Sequence, residues 1–334
     1  MPILTTQSPR ALALFVSFIL ISPTFIWAAP PGTPSLFPSA ASNDGTTNRD
    51  DGDKEGQQRF TDELLKMTEF FDTTLPGTLQ KYNLVLNFSP RLPDVRNREF
   101  IRFPFTLRYG LREKWEIYSR ITPFSPNPLN AGREHRWGLG EISLGVRHDI
   151  GRLDGIFDKV TLGLEARTPL GQPPIEITDW YTHVTPYINT SRSLSCIPYT
   201  TLYFNLGYER SLDTPSHRAP PAEVVRRHVF NFTPSILYMP GEFGGSFEYS
   251  FRYIEDDEIG CHLGHEFKAG PIWDVPRRRT RSWGLPGKWQ VDLAYRVTLE
   301  EGRSLSQGVS VRVDWRTTIR EVFSKKAYEK VPHP

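Results

Sequence analysis

The stretch Lys288–Glu300, KWQVDLAYRVTLE, alternates between apolar and polar residues along its whole length. Leu293 and Tyr295 belong to the apolar phase, and Asp292 and Arg296 to the polar phase. A repeat of two is typical of a β-strand, because successive side chains point to opposite faces. In a soluble sheet the apolar face contacts a protein core, whereas in an outer-membrane barrel it contacts lipid and the charged face lines the lumen.

The same alternation recurs from residue 80 onward. It is clearest around residues 82–88, 101–109, 142–149, 159–167, 201–209, 247–253 and 309–316, and weaker near 113–121, 180–190, 226–239 and 259–269. Together these segments give about 12 strands of about 10 residues, long enough to cross a bilayer at a barrel tilt. We therefore predict an all-β fold, an antiparallel transmembrane β-barrel over residues 80–320, preceded by a short N-terminal helix.

Composition agrees with a barrel and excludes other classes. The mean hydropathy of -0.43 argues against a helical membrane protein but not against a barrel, in which half of each strand is polar. The net charge of +2 over 334 residues gives no general affinity for nucleic acid. The expected partners are therefore outer-membrane lipid and a small-molecule solute, not nucleic acid, in the outer membrane of a bacterium; the oligomeric state stays open.

The N-terminus has the pattern of an export signal. Arg10 precedes an apolar run over residues 11–22, and a small-residue cleavage site lies near Ala28. The run is shorter than the roughly 20 apolar residues of a spanning helix, so a retained anchor is the less favoured alternative. We predict a signal peptide over residues 1–28.

Two further segments precede the barrel, and one follows it. Residues 29–58 are rich in Pro, Ser, Gly, Asn and Asp, a composition that predicts a disordered leader. Residues 59–79 are predicted to contain a short helix, because the apolar residues of Phe60–Phe71 lie near helical spacing. That segment would plug or brace the barrel mouth, or pack on the first strand. Residues 321–334 are expected to form a C-terminal extension.

The lengths of the connections between strands support a barrel with both termini in the periplasm. Short connections are expected at 110–112, 151–155 and 239–241, and long ones at 122–138, 168–179 and 212–225. The connection at 270–287 breaks this rule, because it is long and basic but falls on the periplasmic side. Two explanations stay open: a misassigned strand, or a segment that folds inward or under the barrel.

Three glycine-containing segments resemble a known family. They are Leu107–Tyr118, with "YGL" between two strands; Gly138–Arg147, similar to a "GLGD-x-x-LG-x-K" strand; and Val160–Gly171, which ends in a "P-T-G"-like loop. In order and spacing they resemble the outer-membrane proteins of the MetA-pathway of phenol degradation, or transporter-like, family. The resemblance covers about residues 80–320 and implies an outer-membrane barrel that moves small, including aromatic, compounds. It implies no binding residues.

The favoured function is a channel or facilitator, and the sequence indicates no enzyme and no cofactor. Charged residues of the polar phases are the predicted pore lining: Arg102, Arg108, Glu116, Arg120, Glu141, Arg147, Glu165, Arg167, Glu248, Arg252, Asp292, Arg296, Arg312 and Asp314. Mixed charges of this kind either line a polar path or pair into a closed lumen. A non-conducting structural barrel is therefore the main alternative. Glu165 and Arg147 have the opposite signs that a paired lumen requires, but the sequence cannot place them opposite each other.

Enzymatic and metal-binding alternatives have weaker support. An outer-membrane lipid hydrolase would need Ser, His and Asp or Asn to converge on the wall, and His183 is one of several strand histidines, but no GxSxG motif is present. His262 and Glu266 share a face, yet two ligands are fewer than a zinc site needs. We therefore predict neither catalytic residues nor a metal site. Pairing of Cys196 with Cys261 stays open.

Overall fold

The computed structural model describes residues 65–92, 99–129, 136–171, 173–174, 177–212, 226–256, 260–300 and 305–318. The predicted signal peptide, disordered leader and C-terminal extension lie outside these residues. Among the described residues no helix is long and apolar enough to cross a membrane.

The described residues form sixteen strands and one short helix. The elements are β1 (Glu69–Phe70), β2 (Thr73–Thr74), β3 (Leu84–Phe88), β4 (Arg91–Leu92), β5 (Phe100–Arg102), β6 (Phe105–Arg112), β7 (Trp115–Pro126), β8 (Gly138–Leu153), β9 (Phe157–Pro169), β10 (Thr182–Ser193), β11 (Thr200–Leu212), β12 (Arg226–Tyr238), β13 (Phe243–Asp256), β14 (Gly260–Val275), α1 (Arg277–Ser282), β15 (Lys288–Glu300) and β16 (Ser306–Thr318).

Strands β3 to β16 form one closed antiparallel barrel. The fourteen strands occupy twelve positions in its wall, because β3 with β4 and β5 with β6 each form one interrupted strand. Each position pairs with the next along the chain, and the ring closes where β16 pairs with β3 and β4. Closure leaves no strand edge unpaired, which is the requirement for a sheet in lipid. The predicted fold and strand number are confirmed.

Side-chain exposure in β15 shows whether its apolar face contacts a protein core or lipid. The apolar Leu293 and Tyr295 are 45% and 52% exposed, whereas Asp292 is 0% exposed and Arg296 is buried. The apolar phase therefore faces outward and the charged phase inward, the reverse of a soluble sheet. An apolar exterior on a closed barrel requires lipid around it. The chain is accordingly a bacterial outer-membrane barrel.

The two ends of the barrel differ. At one rim, called here the terminal rim, the first barrel strand begins and the last one ends, since Thr318 pairs with Val85. Connections at this rim include the two-residue turn 113–114 and the segment 154–156. The opposite rim, called here the loop rim, carries the connections 127–137, 170–181 and 213–225. The predicted alternation of short and long connections is thus largely confirmed.

Both explanations offered for the long connection at 270–287 apply in part. Strand β14 continues to Val275, so the strand predicted near 259–269 is too short. The remaining residues lie at the terminal rim and contain α1, in which Arg277 and Thr280 are buried. The indole nitrogens of Trp289 and Trp315 both donate to the Pro286 carbonyl oxygen, at 3.1 and 2.8 Å. This segment is therefore packed against the barrel end.

The helix predicted for Phe60–Phe71 is wrong over the part that the structure describes. From residue 65 the chain is non-helical, and β1 and β2 pair as a small antiparallel hairpin; residues 60–64 lie outside the described residues. Residues 65–79, called here the plug, enter the lumen and contact inward-facing side chains of the wall. A plug in the barrel is one of the two arrangements expected for this segment; the other, packing on the first strand, was the favoured one.

Candidate functional site

A cavity of about 490 Å³ lies in the lumen between the plug and the barrel wall. The wall contributes residues from β6 to β14 together with Asn87 of β3, and the plug contributes Thr68, Glu69, Asp72 and Thr74. Most of the lining side chains are polar or charged, as expected where alternate residues of each strand point inward. The cavity has the size of a small-molecule site.

Three arginines from three different strands converge on one carboxylate of the plug. The Glu69 carboxylate lies 2.5 Å from Arg91, 3.1 Å from Arg312 and 3.2 Å from Arg120. Burial alone would raise the pKa of the Glu69 carboxyl, but Arg91, Arg312 and Arg120 hold it well below its usual range. Glu69 is therefore ionised, and we call the three arginines the arginine cluster.

A second plug carboxylate is held by a lysine on β14. Asp72 forms an ion pair with Lys268, which also lies 2.5 Å from Glu266 and 3.7 Å from Glu248. Glu248 accepts hydrogen bonds from the Asp72 backbone N–H at 3.2 Å and from the Thr73 hydroxyl at 2.5 Å. One buried lysine thus partly neutralises three carboxylates. Through Glu248 and Lys268 the hairpin turn is fixed to β13 and β14.

Apolar contacts fix the same hairpin. Phe70 and Phe71 are buried against an inward-facing apolar patch formed by Leu237, Ile272 and Ala294. The small side chain of Ala294 stands in the otherwise polar phase of β15 and leaves room for the phenyl rings. Burying a phenylalanine contributes about 1.5–3 kcal/mol, so these two residues hold the plug by a force independent of its charges.

The plug leaves the lumen across a buried charge cluster. The Glu116 carboxylate accepts two hydrogen bonds from Arg108, both at 2.7 Å, and lies 3.9 Å from Arg147. It also accepts a hydrogen bond from the Leu79 backbone N–H at 2.8 Å, while Arg147 donates to the Leu75 carbonyl oxygen at 2.6 Å. The same groups therefore stabilise the wall and the end of the plug.

Two tyrosines form an aromatic section of the cavity wall. The Tyr118 hydroxyl donates to Glu165 at 2.6 Å and lies 3.2 Å from the Tyr187 hydroxyl. Tyr118 is paired in register with Gly145, and Tyr187 with Gly163. A Cβ atom on these glycines would lie 2.2 Å from the Tyr118 ring and 2.0 Å from the Tyr187 ring. Each ring therefore covers a lumenal glycine, whose missing side chain makes room for it.

Replacing the first of these glycines tests the packing of the aromatic section. We expect Gly145→Ala to lower the free energy of unfolding by about 1–3 kcal/mol, the usual effect of added bulk at a packed site. Denaturant unfolding in lipid vesicles measures the loss. Gly207→Ala is the matched control, because Gly207 also lines the cavity but its Cβ would meet its nearest neighbours at 3.8 Å. Equal losses for the two variants would contradict the proposed packing.

A histidine network lies toward the loop rim. His183 contacts the Asp179 carboxylate at 2.7 Å through Nε2 and the Glu209 carboxylate at 3.0 Å through Nδ1. The Ser211 hydroxyl is 3.2 Å from Nδ1, and Glu209 is also 2.7 Å from Arg167. The Ser, His and Asp that a hydrolase would need are therefore neighbours. However, the Nδ1 atom that faces Ser211 also contacts the Glu209 carboxylate. The contact between Nε2 and Asp179 ties the 170–181 connection to the wall.

The structure brings together part of the predicted pore lining. Seven of the fourteen residues border the cavity: Arg108, Glu116, Arg120, Arg147, Glu165, Arg167 and Arg252. Glu248, Asp292 and Arg312 contact the plug. Arg296 lies 3.5 Å from Glu266, Asp314 3.1 Å from Arg316, and Glu141 3.9 Å from Arg167. Arg102 is opposite Arg91 in register. That these residues line a conducting pore stays a prediction.

The register settles the relation between Glu165 and Arg147, which the sequence leaves open. It places Glu165 opposite Gly145 and Arg147 opposite Gly163, so the two charges are not directly opposed. Glu165 instead accepts the Tyr118 hydrogen bond, and Arg147 is drawn to Glu116. Alternation along a strand gives the face of a residue, but only the register between strands gives its partner.

Several residues of the site were absent from the predicted lining. Tyr118 shares the phase of Glu116 and Arg120, so the alternation contained the signal for it. Glu69 and Asp72 had no such signal, because their segment was interpreted as a helix.

Both cysteine thiols are free and exposed, and within the described ranges no group of three or more His, Cys, Asp or Glu side chains is arranged to hold a metal ion.

Comparison with known proteins supports the architecture. No family model matches the chain, and no curated protein does. The fold is similar to the COG4313 outer membrane channel from Pseudomonas putida F1, with a TM-score of 0.50 and 9% identity over 75% of this chain and 100% of that chain. It is also similar to the NanC porin, with a TM-score of 0.41 and 11% identity over 70% of this chain and 98% of that chain.

The KdgM porin gives a TM-score of 0.39 and 8% identity over 70% of this chain and 98% of that chain. At such identities the similarity concerns the fold, which is that of outer-membrane barrels. Membership of the MetA-pathway family stays a prediction.

Proposed function

We propose that this barrel is a channel or facilitator that moves small compounds, including aromatic ones, across the outer membrane. The observation that carries the proposal is the cavity inside a closed barrel, bordered by charged residues and by the two tyrosines. A barrel lumen filled by paired side chains alone would hold no such space. The family resemblance and the COG4313 channel of similar fold point to the same class of function.

The composition of the cavity wall supports aromatic acids among the solutes. Tyr118 and Tyr187 provide ring surface for stacking, and Arg120 and Arg147 provide guanidinium groups near it. A ring with a carboxylate would find both kinds of partner in one cavity. The carboxylate of Glu165, which also borders the cavity, would repel additional negative charge on such a solute.

Electrical recording tests the proposal. We expect the purified full chain, refolded in detergent and inserted into a planar bilayer, to give discrete current steps. Benzoate should change that current more than cyclohexanecarboxylate does, which has the same charge and similar size but no aromatic ring. Tyr187→Leu should reduce the difference, because one of the two aromatic stacking partners is lost while an apolar side chain remains.

Two results would contradict the proposal in different ways. A correctly folded barrel that passes neither ions nor solutes would favour the non-conducting structural alternative. A conducting barrel that treats both acids alike would keep the channel and exclude the aromatic preference.

A further inference from the structure

The arginine cluster is a carboxylate-binding arrangement already occupied by a carboxylate of the same chain. Arg91, Arg120 and Arg312 reach Glu69 from strands β4, β7 and β16. Arg312 is further fixed by donating to the Ser89 hydroxyl at 2.9 Å and to the Phe71 carbonyl oxygen at 3.0 Å. The Arg312 guanidinium group is therefore held by Ser89, between β3 and β4, and by the plug backbone as well as by Glu69.

Charge balance makes the cluster dependent on an anion. Three guanidinium groups contact the single carboxylate of Glu69. Other acids of the wall interact with them less directly: Asp314 lies 3.8 Å from Arg312 but 3.1 Å from Arg316, Asp292 also acts on Arg312, and Glu165 acts on Arg120. If the plug leaves, the arginines lose their main counter-charge inside the barrel. Buried charges without a partner are strongly unfavourable, so an anion that replaces Glu69 would lower the free energy of the open state.

The cluster is also accessible from the cavity. Glu69 and Arg120 both belong to the cavity lining, and the Arg120 side chain is 23% exposed. Arg120 is oriented by a hydrogen bond to the Thr106 hydroxyl at 3.2 Å. A solute in the cavity therefore lies beside the contact between the plug and the cluster.

We propose that the arginine cluster is a binding site for carboxylate solutes, that Glu69 occupies it in the closed barrel, and that an incoming carboxylate displaces Glu69 and loosens the plug. This inference rests on the proposed channel function, because it requires solutes to enter the lumen. By linkage, a ligand that binds only where Glu69 has left must shift the barrel toward the unplugged state.

Benzoate binding to the full chain in detergent, measured by calorimetry, tests this competition. We expect Glu69→Gln to bind benzoate about ten-fold more tightly than the unmodified chain, because the internal competitor is gone while all three arginines remain. Adding Arg312→Gln to that variant should abolish the gain. Benzoate should also increase the open fraction of the unmodified channel in a bilayer, whereas without benzoate the open fraction of Glu69→Gln should already exceed that of the unmodified channel.

Glu209→Gln is the matched control, because Glu209 lines the same cavity but contacts Arg167 and His183 and not the arginine cluster. Its benzoate affinity should stay near that of the unmodified chain. Equal tightening in both variants would overturn the inference and assign the effect to the general charge of the lumen. Should Glu69→Gln not assemble, Arg120→Gln retains the plug carboxylate and must weaken benzoate binding; unchanged binding would overturn the site.

The two proposals fail separately. A channel that conducts but binds benzoate with the same affinity before and after the Glu69→Gln change would refute the displacement and keep the channel. Tight benzoate binding to Glu69→Gln in a barrel that never conducts would keep the carboxylate site and refute the channel.

Discussion

Removing residues 65–79 is expected to raise the single-channel conductance several-fold, on the order of ten-fold, because these residues fill a large part of the lumen between the cavity and the terminal rim. The barrel itself should persist, since closure depends on backbone hydrogen bonds among β3 to β16 and not on the hairpin. Conductance in planar bilayers measures the effect, and heat-modifiable migration in gels verifies the folded barrel.

A deletion of equal length in the leader, over residues 31–45, is the control for this experiment. The plug contacts described above involve none of the deleted residues, so the conductance of this variant should equal that of the unmodified chain. If the plug deletion left conductance unchanged, the obstruction would lie elsewhere in the lumen, and the connection 170–181 would be the next segment to remove.

The largest loss of stability is expected from Glu116→Ala. The change leaves Arg108 and Arg147 buried without their shared carboxylate and removes the acceptor of the Leu79 N–H. Breaking a buried ion pair by removing one partner typically costs about 3–5 kcal/mol of unfolding free energy. Denaturant titration of the barrel in lipid vesicles, followed by tryptophan fluorescence, gives this value.

Glu113→Ala is the matched control, because Glu113 lies exposed in the turn between β6 and β7. Its effect should stay within about 0.5 kcal/mol, as for most surface substitutions. Glu116→Gln keeps the shape and one acceptor but loses the charge, so its loss should fall between the two. A loss below about 1 kcal/mol for Glu116→Ala would mean that water reaches the two arginines and replaces the carboxylate.

The wall of the barrel could be predicted from the sequence because its signal is local. Each strand repeats the outward and inward choice every two residues, so KWQVDLAYRVTLE alone gives both faces of β15. The plug could not be predicted in this way. The spacing of Leu64, Leu65, Met67, Phe70 and Phe71 also fits one face of a helix.

What decides the conformation of the plug is the interior of a barrel formed by residues far along the chain. Phe70 finds its apolar partners at Leu237 and Ile272, and such tertiary contacts override local propensity. The site is incomplete without them, which is why the sequence did not indicate Glu69 and Asp72. Many charged residues of the wall were predicted, but Arg91 and Lys268, the partners of these two carboxylates, were not.

The contacts of the plug also constrain the order in which the parts of this protein assemble. The Phe71 backbone N–H donates a hydrogen bond to Asp292, and its carbonyl oxygen accepts one from Arg312. These partners follow Phe71 in the sequence by 221 and 241 residues. Those partners lie in the last two strands of the wall, whereas the hairpin precedes every strand of the barrel. The hairpin can therefore complete its contacts only once β15 and β16 are in place, since contacts of such long sequence separation form late. We thus expect seating of the plug to finish only when the barrel closes.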